Sequence, residues 1–288
     1  MGRGRTKTGI NQSQTAPVTL NLMALTLEPG NEREKHGLVG WAVPTAALVT
    51  LVSGTLIEKK ITGAHPGPER MPALDTERLG AVYRLLLAQY GPQHWWPGDS
   101  PFEVMVGAIL TQNTTWTNVE WGLERLCDRI PLQAQAILSL PGDELAECLR
   151  PVGYFNVKSK RLRNFCRAYL EAGGLDGLRA LATEELRRWL LDIHGIGPET
   201  ADDMLLYAFE RPVFVVDAYT GRIFERLGVL TGNPGYEAIR QGFETALGKD
   251  VPLFNEYHAL IVRHGKTICR RTRPLCAQCC LRERCPEA

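Results

Sequence analysis

The sequence has almost no net charge: 33 Lys and Arg face 32 Asp and Glu, a formal +1. Bulk charge therefore points to no polyanionic partner, and any such partner must be met by local clusters. No internal repeat stands out, which argues against a solenoid or a propeller. Strand-like alternation is nearly missing, and the single run that reads that way, Pro212 to Val216, is short. Eight cysteines in 288 residues do not make a secreted disulfide scaffold. Lysine is missing altogether between Lys160 and Lys249.

What remains is globular in composition, 44% hydrophobic and 23% charged, with length for one large domain or two ordinary ones. Residues 1–36 are polar and aperiodic, the composition of disorder. Gly37 to Ile57 carries no charge. Its length suits a membrane span, but Pro44 and four Thr/Ser residues interrupt it, and it lies too deep for an ordinary signal peptide. Membrane anchor, packed appendage and non-native sequence upstream of a start near Met71 are the three readings of this 1–70 extension. The second and third are favoured, because regular organisation begins right after Met71.

From residue 75 onward the pattern is helical. Leu79, Val82, Tyr83 and Leu86 keep the spacing of one helix face, and Gly91 suits the stop. Ser100-Pro101-Phe102-Glu103 is a capping box with proline at the first helical position. Further helices are expected near 115–129, 143–150, 157–172, 183–192, 198–209, 218–228, 235–247 and 253–267. Gly and Pro mark the joins, as at Gly173-Gly174. Cys127, Cys148 and Cys166 read as buried thiols, and Trp121 and Trp189 as core. Basic residues gather at Lys158, Lys160, Arg161, Arg163 and Arg167 and again after His258, as either phosphate contacts or solvated helix faces.

Two features carry chemistry. Between two helices, His194-Gly195-Ile196-Gly197 forms a turn whose glycines allow a phosphate to approach the main chain. The N–H groups of the following helix, opened by Pro198, would face that anion. The second feature is Cys269, Cys276, Cys279 and Cys285, spaced C-x6-C-x2-C-x5-C, which can converge on one metal centre with little loop entropy. Zinc is the alternative there, but zinc sites favour paired C-x2-C knuckles and only Cys276/Cys279 qualifies. Cys280 breaks the spacing and reads as a bystander.

The hairpin at about 186–209, Thr200-Ala201, the aspartate at 217 and the cysteine run together resemble the endonuclease III, or helix-hairpin-helix-GPD, superfamily of DNA glycosylases. The resemblance covers about residues 75–288. It implies an all-α, two-lobed fold: a six-helix barrel over 98–216, and a lobe of 71–97 plus 217–288 holding a 4Fe–4S cluster on the four cysteines. It also implies duplex DNA bound across the cleft, gripped at Gly195, Ile196, Gly197, Glu199 and Thr200. No other small-molecule cofactor and no membrane is implied; a cytoplasmic monomer is expected.

Asp217 matches the superfamily's catalytic aspartate. It also reads as a helix N-cap, and the two roles are compatible, since a helix dipole keeps a carboxylate ionised. Members that also cut the backbone attack with a hairpin lysine, and here that position is Glu199. A glutamate forms no imine, so the expectation is a monofunctional enzyme that uses water. The segment Gly195 to Asp202 with Leu110-Thr111-Gln112-Asn113-Thr114 looks most like the 3-methyladenine DNA glycosylase III branch. That branch stacks the flipped base on aromatics from segments matching Trp95-Trp96-Pro97 and Trp116. Tryptophan faces attract the cationic N-alkylated purine by ~2 kcal/mol or more. Each tryptophan also reads as core. Gln112 and Asn113 match the wedge that fills the gap left by the extruded nucleotide, or else cap the next helix. In the branch it resembles, a lysine near the position of Lys266 enters the base pocket, but here Lys266 reads as a phosphate contact. The rival functions are a bifunctional glycosylase/lyase on oxidised pyrimidines and a DNA-binding protein without catalysis.

Overall fold

The computed structural model describes residues 73–96 and 98–288. The expectations for residues 1–70, including the apolar run 37–57, and for Pro97 lie outside them. Among the described residues no strand forms, and no helix is long and apolar enough to cross a membrane. The chain is all-α.

Local rules set most helix starts. Asp75 caps α1 (Thr76–Tyr90) by accepting the Arg78 N–H at 3.1 Å. Ser100 caps α2 (Pro101–Leu110) by accepting from Glu103 N at 3.2 Å, while Glu103 bonds back to Asp99 N, one residue short of a full capping box. Residues 104–110 of α2 are all buried, so this helix runs through a core rather than beside one. Around it follow α3 (Trp116–Cys127), α4 (Ala134–Ser139), α5 (Gly142–Cys148), α6 (Phe155–Glu171), α7 (Gly174–Arg179), α8 (Thr183–Asp192) and α9 (Pro198–Asp203). Met105, Ile109, Leu126, Ile137, Leu162, Phe165 and Leu190 meet there.

A second core forms where α1 meets α10 (Ala218–Arg226), α11 (Tyr236–Leu247) and α12 (Val251–Thr267). It is aromatic. Phe214 stacks on Phe243 at 4.3 Å, Phe224 and Phe254 close edge-on, and the Tyr257 hydroxyl donates to Leu79 O at 2.8 Å. Each such ring is worth about 1.5–3 kcal/mol on burial.

The two cores meet at a π-helical turn, Met204–Ala208, that continues α9. Leu205 faces the first core, Leu206 the second, and Tyr207 touches both. The wider turn lets successive residues face two directions. A buried ion-pair network joins the same halves. Arg187 of α8 holds Asp202 of α9 through two bonds, 2.7 and 3.1 Å, and Glu237 of α11 at 2.6 Å, and Tyr236 donates to Asp202 at 2.8 Å.

Several expectations are corrected. Pro212 to Val216 is extended but pairs with no strand; Phe214 N donates instead to the Glu244 carboxylate at 3.0 Å, so a side chain satisfies what a ladder would have. The short helices α4 and α7 were not expected, because six residues carry too little period to read, while Gly173-Gly174 does mark a join, that between α6 and α7. Cys127 is exposed at the end of α3, whereas Cys148 and Cys166 are buried. Trp121 is 54% exposed and not core, while Trp189 does pack against the first core. Lys158 is buried and touches no solvent phosphate path: its ammonium donates to Leu110 O and Val152 O, the carbonyls left over where α2 and a short 3-10 turn end.

Candidate functional site

Where the cores meet lies a cavity of about 630 Å³. Trp95, Trp96 and Trp116 line one part of it; Glu199, Asp203, Asp217, Tyr219, His258 and Lys266 line another, and Asn113 stands at its edge.

Asp217 sits there because Val213 to Val216 is buried and delivers it to the start of α10. One carboxylate oxygen accepts Thr220 N at 2.7 Å and the Thr220 hydroxyl at 2.9 Å. The other lies 3.6 Å from Nε2 of His258, whose Nδ1 meets the Tyr207 hydroxyl at 2.6 Å. Burial pushes this carboxyl up, but His258 and the Thr220 donors outweigh burial and hold it below its ordinary value. It is therefore a carboxylate with one oxygen fixed and one free to act. The side chain is the helix cap that was expected, and it also lines the cavity.

The tryptophans are in mutual contact, with ring centroids 5.2 to 5.8 Å apart, and Trp96 also meets Tyr207 at 5.2 Å. None of the three indole N–H groups has a partner. Buried donors without partners are costly in a finished core, and are what a ligand-binding wall presents. Gly107 of α2 makes room: a Cβ there would stand 3.2 Å from the Trp116 ring.

The hairpin turn flanks the cavity. Gly195 takes φ +106°, and a Cβ would lie 2.3 Å from Cγ of Arg161, so only glycine fits. Arg161 in turn holds Oε1 of Gln112, while the Gln112 amide donates to Gly195 O at 3.1 Å and to Thr200 Oγ1 at 2.9 Å. Gln112 is thus tied to the hairpin rather than projecting from it. Ile196 and Thr200 are buried, leaving main chain as what this turn offers outward, beside exposed Gly197 and Glu199. Glu199 stands at the cavity mouth; the surrounding protein and then repulsion from Asp217 push its carboxyl up.

Sequence reasoning singled out neither Asp203, Tyr219 nor His258, which line the cavity, nor Tyr154, and it placed Lys266 on phosphate. Lys266 lines the cavity itself; desolvation lowers its amine and Asp217 partly offsets this. Tyr154 is 73% exposed with φ +47°, beside Gln112 and Asn113 around a smaller cavity. A large aromatic held outward in a left-handed conformation is uncommon. Its readable signal was Gly153-Tyr154 between two apolar helical patterns.

The four terminal cysteines do converge. Cys269, Cys276, Cys279 and Cys285 line one cavity of about 90 Å³, and Cys280 does not. Among the described residues no three His, Cys, Asp or Glu side chains close on a point that would hold a single metal ion. All four thiols line that one cavity, together with Arg226, Ile268 and Pro274. Burial and then mutual repulsion with the other three raise the Cys279 thiol, and the Arg226 guanidinium lies 3.3 Å from the Cys269 sulfur. His264 Nε2 is 3.6 Å from the Cys279 sulfur, and its Nδ1 meets Tyr90 OH at 2.8 Å. A donor set of four thiols with a nearby cation suits an anionic sulfur-ligated centre.

Comparison with known proteins agrees with this geometry. The pattern of the HhH-GPD superfamily of base excision DNA repair proteins matches residues 106–249. A Methanocaldococcus jannaschii protein assigned as a DNA repair glycosylase is 45% identical over 73% of this chain and 96% of its own length. The H. pylori 3-methyladenine DNA glycosylase MagIII, solved with 1,N6-ethenoadenine, is 30% identical over 67% of this chain and 98% of its own, with TM-score 0.58. Endonuclease III in a non-covalent DNA complex, 19% identical over 74% of this chain and 96% of its own, shares the fold with TM-score 0.65. The chain belongs to the HhH-GPD superfamily of base excision DNA repair proteins.

Proposed function

We propose that this protein is a monofunctional DNA N-glycosylase that binds damaged duplex DNA, flips one base into the cavity and hydrolyses its glycosidic bond, with alkylated purines such as 3-methyladenine as substrates. The observation that carries the reading is the sharing of one cavity by an ionised carboxylate and a three-tryptophan wall. Asp217 would stabilise oxocarbenium-like charge at C1′ and take a proton from the attacking water. The tryptophan faces would hold the base, a cationic one most strongly. The hairpin main chain at Gly195 to Thr200 would grip the strand, and exposed Tyr154 with Asn113 would fill the vacated stack. The H. pylori relative, named for 3-methyladenine, supports a purine lesion.

The four thiols would hold the iron–sulfur cluster and so fix the terminal loop, with Arg270, Arg271 and Arg273 exposed on it. The cluster supplies a structural tie between α10, α12 and that loop, through Arg226 and His264.

The test is base release from duplexes bearing alkylated purines, thymine glycol, uracil mispairs or an abasic site. Release of alkylated purines without strand cutting is expected; cutting of thymine glycol DNA would overturn it. Lys266 favours the second reading, a glycosylase/lyase, because it places an amine in the same cavity. Borohydride trapping separates the two: a strong adduct lost in Lys266→Ala establishes the lyase.

A further inference from the structure

The cavity holds two more acids, Glu199 and Asp203, than carboxylate chemistry at C1′ requires. Glu199, Asp203 and Tyr207 lie four residues apart along α9 and the π turn, on one face. Asp203 lines the same cavity as Trp96 and Asp217, and Tyr207, one turn further on, meets Trp96 and His258. Yet the Asp203 Oδ1 is shut off from solvent and has no hydrogen-bond partner. Neighbouring Asp202 behaves differently, since Arg187 and Tyr236 satisfy it. The Asp203 oxygen is enclosed without a donor while the side chain as a whole is only half-buried, and such an enclosure favours the protonated form of the group.

We propose that Asp203 is the proton donor to the departing base, so that the cavity also processes neutral purine lesions, which leave slowly unless protonated. This rests on the glycosylase reading above. As the C1′–N bond breaks, its electron pair stays on the base and the Asp203 proton goes to a ring nitrogen. Water adds to C1′ and gives its proton to Asp217. That proton returns to Asp203 before the next turnover, so the balance closes as one water consumed. Two carboxyls with opposite protonation are the pairing such hydrolysis needs. The Asp203 carboxyl lies well above its ordinary range, through burial first and then repulsion from Glu199, Asp217 and Asp202. The titratable groups around it are Glu199, Asp202 and Tyr207 on its own run, Asp217 at α10 and Tyr236 on α11, and His258 and Lys266 of α12 line the same cavity; α2 brings no charge to the cavity.

The experiment measures single-turnover release of 1,N6-ethenoadenine, neutral, and of 7-methylguanine, cationic, by the full-length protein. In Asp203→Asn, which keeps size and polarity, the neutral-to-cationic rate ratio should fall about 10²-fold or more. An unchanged ratio, whether both rates fall or neither does, overturns the proposal. The wild-type pH profile tests it without a variant: neutral-base release should fall at high pH before cationic-base release does. Coincident profiles overturn it. Wild-type release of the cationic base but not the neutral one sinks this inference and leaves the glycosylase reading standing; release of neither sinks that reading.

Discussion

The two halves of the cavity are built by different physics. The tryptophan half rests on the first core, of aliphatic side chains on many short helices around α2, and offers flat faces and indole donors. The carboxylate half rests on the second core, of stacked aromatics on α1, α10, α11 and α12, and offers Asp217, His258 and Lys266. Recognition on one side and charge on the other can then be altered separately. Asp203, the last residue of α9, lines the same cavity, and Tyr207, on the π turn that follows, packs against both cores.

That comparison breaks hardest at Asp217. Asp217→Asn should lower base release by about 10³-fold or more while DNA affinity, measured by gel shift or anisotropy, holds. Lost affinity would mean the residue organises the cleft rather than the reaction. Next is the seam. Arg187→Met takes from buried Asp202 its two short ion-pair bonds and leaves only Arg240 at 3.9 Å, and urea titration should show about 3 kcal/mol lost. Cys279→Ser tests the second half alone: iron content should drop and the melting temperature with it, whereas full stability at lost iron would unlink cluster and loop. On the recognition side, Trp96→Ala should weaken damaged-base processing by about 1–3 kcal/mol, with Asp217 chemistry on a pre-activated substrate affected less.

The smallest effect is one of pH. Asp203 is raised in the folded state, so between its unfolded and folded values the native protein holds a proton the unfolded chain has released. Stability from this group is present below the unfolded value and lost as pH rises toward the folded one. Asp217 has the opposite sign: lowered on folding, it stabilises above its unfolded value and loses that as pH falls. Asp203→Asn should therefore raise the melting temperature at pH 8 more than at pH 4, and a difference of the reverse sign would mean that Asp203 is ionised in the folded protein.

Helix existence was legible where period and caps agreed, as for α1, α2 and α12. It was illegible for α4 and α7, whose burial comes from distant partners. The hairpin glycines were legible, and the Arg161 side chain explains why Gly195 cannot change. The tie of Gln112 was not: in sequence it reads as a wedge or as a cap of the next helix, and only the structure shows its three bonds to the hairpin and Arg161. Lys266 read as a phosphate contact because nothing in sequence says which way α12 turns.

Spacing alone determined that four thiols could meet and that Asp217 would begin a helix, since both depend on chain segments a few residues long. It determined too that no lysine stands in the hairpin. Which carboxyl is ionised, which stays protonated and which tryptophans face a cavity rather than core were decided only by tertiary structure. Protonation and exposure depend on burial and on charges brought together from helices far apart in the chain, and a linear sequence holds no distance between them.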